Sequence, residues 1–157
     1  MAGIHSILFV CSGNMFRSAG AEVILRQKLH DAGITDVEVA SAGTLDLGHR
    51  PRPAGFADVL LEHGYLLDRV TEYVHDVDVV NYDLILVMEP QHEAFLKEML
   101  PRDQWGKIRL FMDYCFASRD ILPDPSLFYY REQYYGTLDK LEEGCDVILK
   151  RLREERP

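Results

Sequence analysis

Ile7-Leu8-Phe9-Val10-Cys11-Ser12-Gly13-Asn14-Met15-Phe16-Arg17-Ser18 is the stretch on which the fold turns. Ile7 to Cys11 is a short apolar run rich in strand formers, as a parallel strand covered on both faces must be. Ser12 to Arg17 is more polar and contains Gly13, which breaks the run. Ser18 then stands as the cap of a helix with Ala21, Ile24, Leu25 and Leu29 at helical spacing. Glu22 lies in the first turns, where negative charge suits the helix dipole, and Gly33 ends the helix. A buried strand, a short loop and a helix in this order make the opening unit of a parallel α/β sheet.

Downstream, strand-like and helix-like segments keep alternating. Val37 to Ala40 reads as a second strand, and residues 44–53, with Gly48, Pro51 and Pro53, as a loop. A helix follows with Phe56, Val59 and Leu60 on one face, stopping at Gly64. Asp83 to Met88 is a nearly continuous apolar run and so a third, buried strand. Pro90 suits the first turn of a helix reaching to about Leu100. Lys107 to Phe111 is a weaker fourth strand. Residues 113–135 are aromatic-rich and read as a long irregular loop, a feature that is often functional. The last helix carries Leu138, Leu141, Cys145, Ile148, Leu149 and Leu152 on one stripe. The expected architecture is α/β, one domain over residues 1–157.

Composition narrows the function. The net charge of −9 lacks the basic footprint that binding nucleic acid requires. Ile7 to Val10 is too short to span a bilayer or serve as a signal peptide, which argues against membrane insertion and for a cytoplasmic chain. Three cysteines, an odd number, make no disulfide framework. No two cysteines sit at metal-ligand spacing, and the six histidines form no His-Glu-x-x-His or cysteine–histidine pattern. Each histidine reads as a surface or helix-end residue. Neither a metal nor a cofactor is expected.

The loop between the first strand and helix carries the chemistry. Open parallel sheets place ligands at the carboxyl ends of their strands, and a helix N-terminus offers unpaired N–H groups to an anion. Ser12, Gly13, Asn14, Met15, Phe16, Arg17 and Ser18 can curl so that successive N–H groups point inward. Gly13 removes a side chain from that nest, and Asn14 tolerates positive φ. Arg17 supplies a planar bidentate donor for two phosphate oxygens. The same surroundings favour a thiolate at Cys11, and Ser18 can donate to it. A cysteine ending a strand is often only a small buried hydrophobe; the surrounding loop makes it a nucleophile candidate. A tyrosine leaving group, with a pKa of about 10, needs a proton. Asp124, in Leu122-Pro123-Asp124-Pro125, is the leading acid candidate, with Asp120 and Asp113 in reserve.

These residues resemble the low-molecular-weight protein tyrosine phosphatases over nearly the whole chain. The nucleophile loop, Ser41-Ala42-Gly43-Thr44, the third strand and Pro123-Asp124-Pro125 each look like segments of that family. The resemblance implies a four-stranded parallel sheet flanked by helices, with the phosphate-binding loop after the first strand. It implies a phosphotyrosine-containing protein as substrate and a cysteinyl-phosphate intermediate. Cys11 would attack phosphorus, Asp124 would protonate the leaving oxygen and then act as base for water, and Arg17 and the loop N–H groups would hold the phosphoryl group. Asn14 and Ser41 would brace the loop, and Ser18 would support the thiolate.

The chain departs from the family pattern at four places. Phe16 stands where a second cysteine is usual, Ala19 replaces a proline, and Leu47 lies near a position that is often aromatic. Ser126-Leu127 follow the acid loop where tyrosines are common, although Phe128, Tyr129 and Tyr130 come soon after. The expected pocket rim is Met15, Leu47 and residues 128–130. Among rival functions, a thiol-relay arsenate reductase would need cysteines that are missing between Cys11 and Cys115. An arginine phosphatase usually has threonine at the position of Met15. A non-catalytic phosphate-binding module would not need Cys11, Arg17 and Asp124 together.

Overall fold

The computed structural model describes residues 3–52, 54–67, 70–125 and 132–157. Four strands, β1 (Ser6–Cys11), β2 (Glu38–Gly43), β3 (Leu84–Val87) and β4 (Ile108–Leu110), form one sheet in the order β2-β1-β3-β4. Every pairing is parallel, β1 running alongside β2 from Ser6↔Glu38 to Cys11↔Gly43 and alongside β3 from Ile7↔Leu84 to Val10↔Val87. Among the described residues the α-helices are α1 (Arg17–Asp31), α2 (Ala54–Glu62), α3 (Pro90–Lys97), α4 (Phe111–Phe116) and α5 (Glu132–Glu154).

The apolar run at 7–11 is explained by its central place. Ile7, Phe9 and Cys11 point into a core shared with α1, α2, α4 and α5, whereas Leu8 and Val10 join Val74, Val79 and Leu96 on the opposite face. Side chains alternate between faces with period two, so a strand covered on both sides must be apolar at every position. Phe9 is fully buried, and truncating it to alanine would cost about 3–5 kcal/mol. α5 lies against α1, its Leu138, Leu141, Cys145, Ile148 and Leu152 buried as the stripe required, with Leu149 at the partly buried margin.

Chain order and sheet order reverse between β1 and β3. Loops leaving neighbouring strands therefore open a crevice at the carboxyl end of the sheet. The loop after β1 and the residues that follow β3 border it.

Several expectations change. β2 runs on to Gly43, three residues beyond Ala40, because it pairs with β1 all the way to Cys11. α3 stops at Lys97 rather than near Leu100. The stretch expected to be irregular from 113 is helical through Phe116, its carbonyls satisfied by Ala117 in a left-handed cap, and helical again from Glu132. Ser18 is not the helix cap: Phe16 holds that place without a side-chain bond, and Ser18 lies inside the first turn. Nor does Glu22 serve the dipole as a solvated charge; it is buried and paired. Ser126, Leu127, Phe128, Tyr129 and Tyr130 lie outside the described residues.

Candidate active site

The loop from Cys11 to Arg17 is tied down at Cys11, Ser12, Asn14 and Arg17. Thr44 N–H donates to the Cys11 carbonyl (3.0 Å) and Leu45 N–H to that of Ser12 (2.9 Å). Gly43 lets the loop approach this closely, since a Cβ there would lie 2.6 Å from the Ser12 oxygen and 3.0 Å from the Asn14 nitrogen. Asn14 is fully buried with φ of 56°, the left-handed conformation that asparagine tolerates.

A chain of hydrogen bonds leads from this loop to Cys11, and its proton directions can be worked out. Glu22, buried on α1 and paired with Arg26 (3.1 Å), accepts from Ser41 Oγ (2.8 Å). Ser41 Oγ therefore accepts from Asn14 Nδ2 (2.8 Å), which also donates to Ser18 Oγ (2.9 Å). The amide cannot be flipped, because Asn14 Oδ1 accepts from Arg52 Nη2 (2.7 Å) and Glu72 N–H (2.9 Å). Ser18 keeps one proton to give. Cys11 Sγ is 3.0 Å away and the Ala42 carbonyl 3.4 Å, so a thiolate at Cys11 takes the shorter bond.

Arg17 is almost completely buried at the other end of the loop. Its Nη1 donates to Glu89 Oε2 (2.8 Å) and to the Leu122 carbonyl (2.9 Å). Nη2 lies 3.7 Å from Asp124 Oδ2. Nε is buried and has no hydrogen-bond partner among the described residues. An unmet buried donor is costly, and here it belongs to the edge of a guanidinium that pairs bidentately with oxyanions.

α3 presents two further groups. Burial, aided by the nearby charge of Arg17, pushes the His92 imidazole down to about 4, so it is neutral at pH 7. Its Nδ1 accepts from Glu89 N–H (3.1 Å), which leaves the proton on Nε2 to be donated to Ser12 Oγ (2.9 Å). His92 is thus a buried brace of the loop; of the two places expected for a histidine, surface or helix end, it takes the helix end, at the third residue of α3. Glu89 and Arg52 carry no signal in the sequence, and Glu22 and His92 carry none of a place at the site. Pro90 marked the start of α3, but nothing in the spacing places its N-terminus against Arg17.

Cys11, Ser12, Gly13, Met15, Phe16, Arg17, Leu45, Leu47 and Asp124 line one cleft of about 270 Å³. The structure therefore brings Asp124 to the loop. Asp113 instead pairs with Arg109 (3.3 Å), and Asp120 is exposed, its backbone N–H bonded to Ser118. Leu47 and Met15 line the rim as expected, and Leu45 joins them. Phe16, 9% exposed, stacks on Tyr134 with ring centres 5.8 Å apart and meets Phe56 edge-on. Cys115 and Cys145 are buried elsewhere. Burial pushes the Cys115 thiol up to about 12 and that of Cys145 well above its usual range, which makes both unreactive.

The model of the low molecular weight phosphotyrosine protein phosphatase family matches residues 6–157. Among curated proteins, the low molecular weight protein-tyrosine-phosphatase PtpA of Staphylococcus saprophyticus is 31% identical over 159 residues, covering 96% of this chain and 99% of its own. Among solved structures, a low molecular weight phosphotyrosine phosphatase from Vibrio cholerae aligns with a TM-score of 0.88 at 28% identity over 99% of this chain and all of that one. A Drosophila arginine phosphatase aligns with a TM-score of 0.82 at 25% identity, over 92% of this chain and 96% of that one.

Proposed function

The chain belongs to the low molecular weight phosphotyrosine protein phosphatase family, and from that premise we propose that Cys11, Arg17 and Asp124 hydrolyse aryl phosphate monoesters in its one domain, residues 1–157. The observation that carries the assignment is the pairing of two groups in one cleft: Cys11 Sγ beside the Ser18 hydroxyl, and the buried, unmet Nε of Arg17.

In the first step the Cys11 thiolate attacks phosphorus and an S–P bond forms as the P–O bond to the phenol breaks. Asp124 gives its proton to the departing oxygen. In the second step the Asp124 carboxylate takes a proton from water, whose oxygen attacks phosphorus, and the Cys11 thiolate leaves as inorganic phosphate forms. The phosphoryl oxygens rest on the N–H groups of Ser12, Gly13, Asn14, Met15, Phe16, Arg17 and Ser18 and on the Nε–Nη2 edge of Arg17. The loop that would carry these donors is already held at Cys11, Ser12 and Asn14, which favours electrostatic stabilisation without reorganisation. No metal ion is required by this scheme.

The substrate is a phosphotyrosine-containing protein. Cys11 is only 3% exposed, at the floor of a cleft walled by Met15, Phe16, Leu45 and Leu47. A flat ring on a long side chain reaches that floor, while a phosphoserine ester is too short. The apolar wall also disfavours the charged guanidino group of phosphoarginine, the second substrate class suggested by the Drosophila relative. A nucleophile that must stay reduced suits a cytoplasmic location. No described helix is long and apolar enough to cross a membrane.

Peptides carrying phosphotyrosine, phosphoserine and phosphoarginine, assayed side by side with wild type and Cys11→Ser, test this reading. Wild type should favour phosphotyrosine by kcat/KM, and Cys11→Ser should lose turnover while still binding inorganic phosphate. Turnover by Cys11→Ser would end the covalent scheme. A higher kcat/KM on phosphoarginine would replace the substrate class.

A further inference from the structure

We propose that Arg52 is a positioning residue for this chemistry, setting the nucleophile loop by gripping Asn14 at its backbone and side chain together. The proposal rests on the phosphatase reading of the cleft.

Asn14 is the one non-glycine residue of the loop in the left-handed region, and its conformation decides where the neighbouring N–H groups point. Arg52 Nε donates to the Asn14 carbonyl (2.7 Å), and Nη2 donates to its Oδ1 (2.7 Å). These two N–H groups lie on one edge of a planar guanidinium and are parallel. They therefore fix the backbone and the side-chain torsion of Asn14 relative to each other, which a single bond could not do. The side-chain half matters to Cys11 directly. With Oδ1 held, both protons of Nδ2 are committed to Ser18 and Ser41, and Ser18 is left to donate to the thiolate.

Arg52 is itself well placed to hold position. It follows Pro51, whose ring fixes φ. The backbone two residues earlier is doubly bonded to Thr71: Arg50 N–H donates to Thr71 Oγ1 and Thr71 N–H to the Arg50 carbonyl, both at 2.9 Å. Glu72, next in the chain, gives its own N–H to Asn14 Oδ1, and its carbonyl accepts from Gly43. The strap that carries the cleft wall at Leu45 and Leu47 is thus joined through Arg52 to the anion loop. Arg52 is not among the described residues that line the cleft; its action passes through Asn14.

Three measurements separate this role from general scaffolding. First, Arg52→Ala should lower kcat/KM by about 10²-fold, the order expected when reacting groups shift by about 1 Å. The loss should be equal on nitrophenyl phosphate and on a phosphotyrosine peptide, because the loop serves both esters alike. Arg52→Lys keeps the charge without the fork and should recover only part of the rate. Full activity in Arg52→Lys would reduce the role to charge and overturn the proposal. Second, the losses of Arg52→Ala and Asn14→Gly should combine to less than their product, because one acts through the other; independent, multiplying losses would overturn it.

Third, inorganic phosphate binding is measured by calorimetry in the Cys11→Ser background, where turnover plays no part. Adding Arg52→Ala, or Arg52→Lys if the alanine variant does not fold, should weaken phosphate binding by about tenfold, the lower end of what displaced supporting groups cost. Unchanged phosphate affinity would overturn the proposal while leaving the phosphatase reading intact. Weakened phosphate binding in a protein whose wild type does not hydrolyse aryl phosphates would uphold the Arg52 role and sink the reaction instead. No phosphate binding by Cys11→Ser alone would remove both.

Discussion

Two regions close on the same cleft, and they are built differently. The Cys11–Ser18 loop is buried and cross-linked: Asn14 and Ser18 are fully inaccessible, and each is bonded to at least two other side chains. The segment carrying Asp124 is more open, with Ile121 45% exposed and the Asp124 side chain 27% exposed. Arg17 joins the two, holding the Leu122 carbonyl at 2.9 Å and lying 3.7 Å from Asp124. The contrast teaches a division of labour. Charge on the phosphoryl oxygens is present in both steps and suits a fixed cradle. A proton is given in one step and taken in the next, which suits a carboxyl group at the cleft's edge with access to water.

That division predicts how variants should fail. Arg17→Lys should cost about 10³-fold in kcat/KM on every ester, since a point charge cannot replace the guanidinium edge. A loss that varied with the leaving group would break the contrast, because it would assign acid work to the cradle. Asp124→Asn should cost about 10³-fold on phosphotyrosine but much less on nitrophenyl phosphate, whose phenol leaves without a proton. Single-turnover release of the phenol reads this step alone. Equal losses on both esters would remove Asp124 as the acid and point to Asp120.

Ser18→Ala should be milder, about tenfold to 10²-fold, as for one hydrogen bond to a charged group. It should again be the same on both esters. An unaffected rate would show that the hydrogen-bond chain from Glu22 ends short of the sulfur.

The smallest effect concerns stability. His92 is held near 4 when folded against about 6.5 when unfolded. A base depressed by folding contributes fully above its unfolded value, and that contribution is lost as pH falls from about 6.5 towards 4, where the unfolded chain binds the proton. His92→Gln should therefore flatten the fall of Tm across that window. An unchanged slope would mean that His92 is not the buried neutral brace of Ser12.

The same contrast explains what could be read from sequence. The cradle was legible because its chemistry is contiguous: Cys11, Asn14, Arg17 and Ser18 follow one apolar strand and precede one helix. Asp124 was legible through the family resemblance of Pro123-Asp124-Pro125, since Asp-Pro alone marks only a turn. The supports were not. Glu89 and His92 arrive from the N-terminus of α3, and Arg52 from a loop, and no periodicity connects them to residue 14 or 17. Glu22 sits on the buried face between Ala21 and Leu25, where a helical pattern shows burial but not a partner. Ser18 was misread as a cap because capping and thiolate support call on the same hydroxyl. α4 was missed because six residues following directly on a strand are too few to display a helical period.

The most direct test of the covalent scheme is to catch the intermediate. Asp124→Asn, lacking the base for the second step, is mixed with nitrophenyl phosphate, quenched during the first turnover, and digested for mass spectrometry. One phosphoryl group is expected on the peptide containing Cys11, appearing with the burst of nitrophenol and absent in Cys11→Ser. A burst of nitrophenol with Cys11 unmodified, or a phosphoryl group on another residue, would contradict it.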